Sequence, residues 1–140
     1  MQVKDLMTTG VYGIKQDAAI REAAMQMQRA DVGSIPVCND LGEALGIITD
    51  RDIVLRSVAS ASQKYYAGDI MSTNVVTVTP ETSIHDAALL FAKHKIRRLP
   101  VVSGGKLVGV LSLGDLAKKK ILIDEAGDAL SSISSPFSLY

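Results

Sequence analysis

The stretch Gly46-Ile-Ile-Thr49-Asp-Arg-Asp52-Ile53 occurs twice in this chain with a similar order of residue types. Its second copy, Gly-Val-Leu-Ser-Leu-Gly-Asp-Leu, occupies residues 109–116, an offset of 63 residues. Each copy begins with glycine and aliphatic residues, as a buried strand does, and continues with a hydroxyl residue followed three positions later by aspartate, which is typical of a helix start. The stretch therefore predicts a strand that leads directly into a helix, twice.

The same repeat extends towards the amino terminus. The motif Asp-Leu-Met-Thr at 5–8 returns as Asp-Ile-Met-Ser at 69–72, an offset of 64 residues. Self-similarity at a fixed spacing indicates one structural unit used twice. A unit of about 60 residues is too small to bury a good core alone, so the two units are expected to pack on each other. We place the first repeat at 1–62, the second at 63–126 and a C-terminal tail at 127–140.

Each repeat has the pattern of a β-α-β-β-α unit, which gives an α/β (α+β) fold class. β-Branched residues predict short strands at 11–14 and 75–78. Helices follow, with Asp17 as the cap of the first and Thr82 or Ser83 as the cap of the second. Apolar residues at helical spacing predict the buried face of each helix: Ile20, Ala23, Ala24 and Met27 in the first, and Ile84, Ala87, Ala88 and Phe91 in the second. Two strand pairs come next, at 35–38 with 44–49 and at 99–102 with 106–112, and the last helix of each repeat begins near Asp50 or near Leu113.

Composition excludes several classes of protein. The 140 residues are 47% hydrophobic, enough for a buried core, and carry 15 basic and 15 acidic side chains. A net charge of zero gives no overall attraction to nucleic acid or to an anionic membrane. The single cysteine, Cys38, excludes an internal disulfide. The amino terminus lacks the apolar core of a secretion signal, and we expect a cytoplasmic protein.

Taken together, the repeated motifs resemble paired cystathionine-β-synthase (CBS) domains, known as a Bateman module. The resemblance covers about residues 1 to 126 and rests on the two Asp-x-Met motifs, on Ile35-Pro36-Val37 with Leu99-Pro100-Val101, and on the 46–53 and 109–116 stretches. It implies a pseudo-twofold pair of units with two equivalent clefts in which adenosine-containing ligands bind. It also implies a homodimer and a regulatory, non-enzymatic role.

The resemblance assigns ligand roles to the residues at each strand-to-helix junction. Thr49 and Ser112 would contact phosphate, while Asp52 and Asp115 would accept hydrogen bonds from the ribose hydroxyls. The chemistry agrees, because the first turn of a helix presents amide groups and hydroxyls suit anions. The alternative is that all four residues only cap their helices.

The second repeat carries an arginine pair that the first repeat lacks. Arg97 and Arg98 precede the strand at 99–102, and the equivalent positions of the first repeat hold Gly33 and Ser34. By the resemblance both arginines face the ligand phosphate, and guanidinium groups suit that contact. The two clefts are therefore expected to be unequal. The alternative is that the arginines are solvated ends of an exposed strand.

By the same position-by-position resemblance, four apolar residues border the adenine: Tyr12, Val32, Val76 and Ile96. Ordinary core packing is the alternative for them. The two histidines, His85 and His94, are nine residues apart and do not suit a shared metal ion, so no metal or cofactor is predicted.

The predicted function is that of a regulatory sensor that binds an adenine nucleotide or related adenosine-type molecule and modulates an unidentified protein partner. The rival is a structural or protein-interaction module without a nucleotide. A nucleotide hydrolase is disfavoured, since no base and metal constellation accompanies the motifs. The tail beyond the repeats has apolar residues at near-helical spacing and is a candidate for contacting a dimer mate or another protein.

Overall fold

The computed structural model of the chain describes residues 1–11, 13–119 and 123–134. In chain order its elements are a 3-10 helix Val3–Asp5, β1 Ile14–Lys15, α1 Ile20–Ala30, β2 Ser34–Cys38, β3 Ala44–Thr49, α2 Asp50–Asp52, a π-helix Ile53–Val58, α3 Ala67–Ile70, α4 Ile84–His94, β4 Arg98–Ser103, β5 Lys106–Ser112, α5 Leu113–Ala117 and α6 Ile123–Ile133. The predicted class of mixed helices and strands in two repeats is confirmed, as are the two strand pairs.

The described residues form two compact units. The first-repeat unit comprises 13–75 with 105–107, and the second-repeat unit comprises 1–11, 76–104 and the described residues from 108 to 134. The opening residues of the first repeat thus pack with the second, and the boundaries at 62 and 126 stay a prediction about the sequence repeats.

A three-stranded sheet in the order β1-β2-β3 forms the centre of the first-repeat unit. β2 lies antiparallel to β3, with Ile35 opposite Ile48, and β1 lies parallel to β2. Helix α1 buries Ile20, Ala23 and Met27, as its spacing predicts, whereas Ala24 is only half-buried. The core of this unit consists of Ile14, Ile20, Ala23, Met27, Ile35, Val37, Ile48, Ala67 and Ile70.

The second-repeat unit is built on the pair β4-β5 and on helices α4, α5 and α6. Helix α4 buries its predicted face, and Phe91 on that face has no exposed surface. Helix α6 packs on α4 and α5. Its buried residues, Ala126, Ala129 and Ile133, join the core of the same unit. Three apolar residues of the predicted tail helix are therefore covered within its own unit, whereas Leu130 is 44% exposed.

The starts of α1 and α4 differ in how they are capped. Ser83 Oγ accepts from the Asp86 amide at 3.0 Å, which confirms Ser83 as the α4 cap. The prediction of Asp17 for α1 is wrong: α1 follows Ala19, which makes no side-chain cap bond. The first amide of each helix has a backbone partner: Ile20 donates to the Tyr65 carbonyl at 3.1 Å, and Ile84 donates to the Met1 carbonyl at 3.0 Å.

The predicted strands at 11–14 and 75–78 form only in part. β1 comprises Ile14–Lys15, and Val78 makes a single bridge to Val101. β-Branched residues favour extended backbone, but a strand needs a partner along its whole length, and these segments meet theirs only briefly.

Each Asp-x-Met motif packs on the strand glycine of the other repeat. In the second-repeat unit Thr8 bridges Val110, and Met7 lies against Gly109. In the first-repeat unit Ser72 bridges Ile47, and Met71 lies against Gly46. A Cβ atom at Gly46 would lie 2.7 Å from the Ser72 carbonyl oxygen, so this close approach requires glycine. Among the described residues, no helix is long and apolar enough to cross a membrane.

Candidate functional site

The two strand-to-helix junctions have nearly identical local geometry. Thr49 Oγ1 accepts from the Asp52 amide at 3.1 Å, and Asp52 Oδ2 accepts from the Thr49 amide at 2.9 Å. Ser112 and Asp115 repeat both bonds, at 3.1 Å and 2.8 Å respectively. This reciprocal arrangement is a capping box. The spacing of three residues therefore has a structural cause in both repeats, whatever further role the four side chains have.

The aspartates of the two capping boxes differ in their burial and in the contacts of their second carboxylate oxygen. Asp52 is buried, with 8% of its surface exposed, and its Oδ1 lies 3.7 Å from Nε of Arg56. Arg56 also donates to the Ile70 carbonyl at 3.3 Å. Asp115 is half-exposed. In each aspartate Oδ2 serves the cap, but Oδ1 of Asp52 is already engaged by a cation, so Asp115 is better placed to accept from a ligand hydroxyl.

The same backbone bond occurs in both repeats, between the first residue of the helix and the residue that directly precedes β4 or β2. The Leu113 amide donates to the Arg97 carbonyl at 3.0 Å, and the Asp50 amide donates to the Gly33 carbonyl at 2.9 Å. The two bonds occupy equivalent places in the two repeats, so the residues around them can be compared directly.

The side chains around these two bonds carry opposite charge, basic in the second repeat and acidic in the first. In the second-repeat unit Arg97 is exposed and Arg98 is half-buried beside the start of α5. In the first-repeat unit Gly33 has no side chain, and a Cβ there would lie 3.2 Å from Oδ2 of Asp50. A carboxylate thus stands near the place where the second repeat has a guanidinium group, and this difference favours anion binding at the second junction.

A cavity of about 660 Å³ lies within the second-repeat unit, beside the arginine pair. Its walls include Arg97 and Arg98, Leu113 and Ala117 of α5, and Gly127 and Leu130 of α6. The volume suits a small organic molecule. Among the described residues that line it, the two arginines carry the charge and Leu113, Ala117 and Leu130 are apolar.

The predicted adenine contacts have mixed placements. Val32 and Val76 are half-buried at the edges of their cores. Ile96 has no exposed surface and packs in the core of the second-repeat unit. Tyr12 lies outside the described residues. As adenine contacts all four stay predictions.

Two contributors to the site were missed from the sequence. Asp50 faces the Gly33 position, and α6 supplies a wall of the cavity. For Asp50 the sequence did contain a signal, because the repeat offset of 63 residues aligns this charged residue with the apolar Leu113. The contribution of α6 has no counterpart in the first repeat and had no such signal. In the described part of the chain no group of three or more His, Cys, Asp or Glu residues is placed to hold a metal ion.

The comparison with protein families decides the identity of the fold. The CBS domain model matches twice, at residues 3–58 and 67–121. The chain belongs to the CBS domain family. Its relatives include the CBS domain-containing protein YhcV of Bacillus subtilis, which is 44% identical over 133 residues and is covered to 94%, as is this chain.

Solved CBS-pair structures resemble the chain closely. CBSX2 of Arabidopsis thaliana in complex with AMP has a TM-score of 0.76 and 29% identity, covering 88% of this chain and 98% of its own. The CBS domain pair of MJ0100, in complex with 5′-methylthioadenosine and S-adenosyl-L-methionine, has a TM-score of 0.77 and 26% identity, covering 84% and 94%.

Proposed function

We propose that this CBS-domain protein is a regulatory sensor that binds an adenosine-type ligand in its second-repeat unit, without altering it chemically, and modulates a protein partner. The observation that carries the proposal is the charge difference between two otherwise equivalent junctions: Arg97 and Arg98 at one, Asp50 at the other. Similarity to CBS pairs that bind AMP, 5′-methylthioadenosine and S-adenosyl-L-methionine supports the choice of ligand class.

In this proposal the second junction binds two parts of the ligand, the phosphate and the ribose, through different side chains. Arg97 and Arg98 contact phosphate, with Ser112 beside them, and Asp115 accepts from the ribose. The half-exposed carboxylate of Asp115 suits that role, since the capping box uses Oδ2 and not Oδ1. Thr49 and Asp52 are the corresponding residues of the first repeat. Their contacts with a nucleotide are weaker, because the Asp50 carboxylate repels a phosphate group.

A ligand panel tests the proposal in its simplest form. Thermal unfolding is measured with AMP, ADP, ATP and adenosine, with GMP as the control. A ligand at 100 times its dissociation constant stabilises a protein by about 2.7 kcal/mol, so binding gives a clear shift. If no adenosine compound shifts the transition, the rival of a structural module without a nucleotide replaces this proposal.

Calorimetry on arginine variants tests the phosphate contact. Arg98→Ala should weaken AMP by about 10- to 100-fold, since a hydrogen bond to a charged group contributes about 1.5–3 kcal/mol, and should leave adenosine nearly unchanged. Arg29→Ala, which removes an exposed arginine from α1, is the matched control and should change neither affinity. Equal losses of AMP and adenosine in Arg98→Ala would mean that this arginine does not contact the phosphate.

Asp115→Asn tests the ribose contact while preserving the cap. The asparagine side-chain oxygen still accepts from the Ser112 amide, but the second carboxylate oxygen is lost. We expect AMP and adenosine to lose affinity by similar factors, with little change in unfolding midpoint. If affinity is unchanged, Asp115 is a helix cap only.

We also propose a homodimer. The π-helix exposes Val54, Leu55 and Val58, with 55%, 50% and 78% of their surfaces accessible, whereas the equivalent α5 of the second repeat packs against α6. Sedimentation at tens of micromolar should show a dimer that Val58→Glu dissociates. Leu41→Glu, at an exposed hairpin position, is the control and should remain dimeric. A monomeric wild type with and without AMP would contradict the proposal.

A further inference from the structure

The cavity beside the arginine pair has only part of its lining in common with the proposed nucleotide contacts. Its described lining residues are Arg97, Arg98 and residues of α5 and α6, and Ser112 and Asp115 are not among them. Helix α6 begins at Ile123, beyond the second match to the CBS domain model, which ends at residue 121. The volume of about 660 Å³ is therefore enclosed partly by a helix that the repeats do not contain.

The walls of this cavity lack side chains that recognise a sugar. Apart from the arginines, the described lining residues are leucine, alanine and glycine, none of which has a side-chain donor or acceptor. The hydroxyl groups of a ribose would find no side-chain partner on these walls. An alkyl chain suits them better, because it would cover Leu130, which is 44% exposed, and remove apolar surface from water.

The two arginines give the cavity a cationic end. Among the described residues, no carboxylate lies within ion-pair distance of the guanidinium group of Arg97 or Arg98. A guanidinium group pairs with the two oxygens of a carboxylate through parallel hydrogen bonds. The cavity thus combines unpaired cations with apolar walls, which is the complement of a molecule with an anionic head and an apolar body.

We propose that this cavity binds a small aliphatic carboxylate, with its carboxylate at Arg97 and Arg98 and its alkyl chain along Leu113 and Leu130. The inference goes beyond the proposed function and does not depend on it, since the binding requires no nucleotide.

The test measures binding of octanoate, butanoate and octylammonium by calorimetry on the full chain without nucleotide. Each methylene group removed from water contributes about fourfold in affinity. Octanoate has four more of them than butanoate and should bind at least about tenfold more tightly, because the wall at Leu130 stays partly open. Octylammonium has the same alkyl chain with the opposite charge and should bind at least about tenfold more weakly than octanoate.

Three variants locate the site. Arg98→Ala should weaken octanoate at least about tenfold, because a hydrogen bond to a charged group is lost. Leu130→Glu, at an exposed position that tolerates a polar side chain, should weaken it by a similar factor through lost apolar contact and charge repulsion. Leu89→Glu is the matched control: Leu89 is a 55% exposed leucine of α4 and is not among the described lining residues. Its octanoate affinity should stay within about twofold of wild type.

Three outcomes would overturn the inference: no binding of octanoate, equal affinities for octanoate and octylammonium, or equal octanoate affinities in Leu130→Glu and Leu89→Glu. Each of them leaves the proposed function intact. Conversely, a protein that binds octanoate as expected but no adenosine compound refutes the proposed function and supports this inference.

Discussion

Replacing Gly46 with alanine should destabilise the first-repeat unit through a clash with backbone. The new Cβ would lie 2.7 Å from the Ser72 carbonyl oxygen and 2.7 Å from Sδ of Met71. The methionine can change its rotamer, but Ser72 cannot retreat without cost. Its amide donates to the Ile47 carbonyl at 2.9 Å, and the Ile47 amide donates back to the Ser72 carbonyl at 3.0 Å.

The expected cost is about 1–3 kcal/mol, the range for inserting a methyl group into well-packed structure. Urea unfolding followed by circular dichroism measures it as a lower midpoint at unchanged slope. Gly109→Ala should have the same sign and a smaller size, since its Cβ would lie 2.9 Å from the Thr8 carbonyl oxygen and 3.0 Å from Sδ of Met7.

The same substitution at Gly127 serves as the control with the opposite sign. A Cβ there meets nothing within 4 Å, and alanine in a helix interior is favoured over glycine by about 1 kcal/mol. Gly127→Ala should therefore raise the midpoint. If Gly46→Ala is as stable as wild type, the account of the Asp-x-Met motif packing on glycine is refuted.

Three further outcomes follow from burial and charge. Phe91→Ala should cost about 3–5 kcal/mol in urea unfolding because Phe91 is fully buried, whereas Leu89→Ala, 55% exposed on the same helix, should cost far less; equal costs would contradict the packing of α4. Burial raises the pKa of the Cys38 thiol, so a disulfide reagent at pH 7.5 should label it slowly until urea is added, and rapid native labelling would count against this. Lys15 Nζ lies 2.7 Å from Oδ1 of Asp40 and holds the pKa of that carboxyl below its usual range, so any stabilisation from this pair is lost as the pH falls through the lowered pKa. In Lys15→Met the pKa of Asp40, measured by NMR titration, should return to its ordinary value, and an unchanged pKa would rule out the pair in solution.

Sequence predicted best those features that depend on neighbouring residues. The strand-to-helix junctions follow from the order of aliphatic, hydroxyl and acidic residues, and the structure has both as capping boxes. The core face of α4 follows from the 3.6-residue period. The predicted cap of α1 was wrong because the helix begins later than expected: Ala19, two residues after Asp17, is at the cap position and has no side-chain acceptor.

Residue type and spacing along the chain are enough to predict the repeat, the order of the elements, the family and the unequal placement of Arg97 and Arg98. Three contacts are visible only in the folded chain: Asp50 stands beside the Gly33 position, each Asp-x-Met motif packs on the other repeat's glycine, and α6 forms a wall of the cavity. Such contacts join residues distant in sequence, and they form where packing removes the most apolar surface from water, a quantity that no local pattern contains.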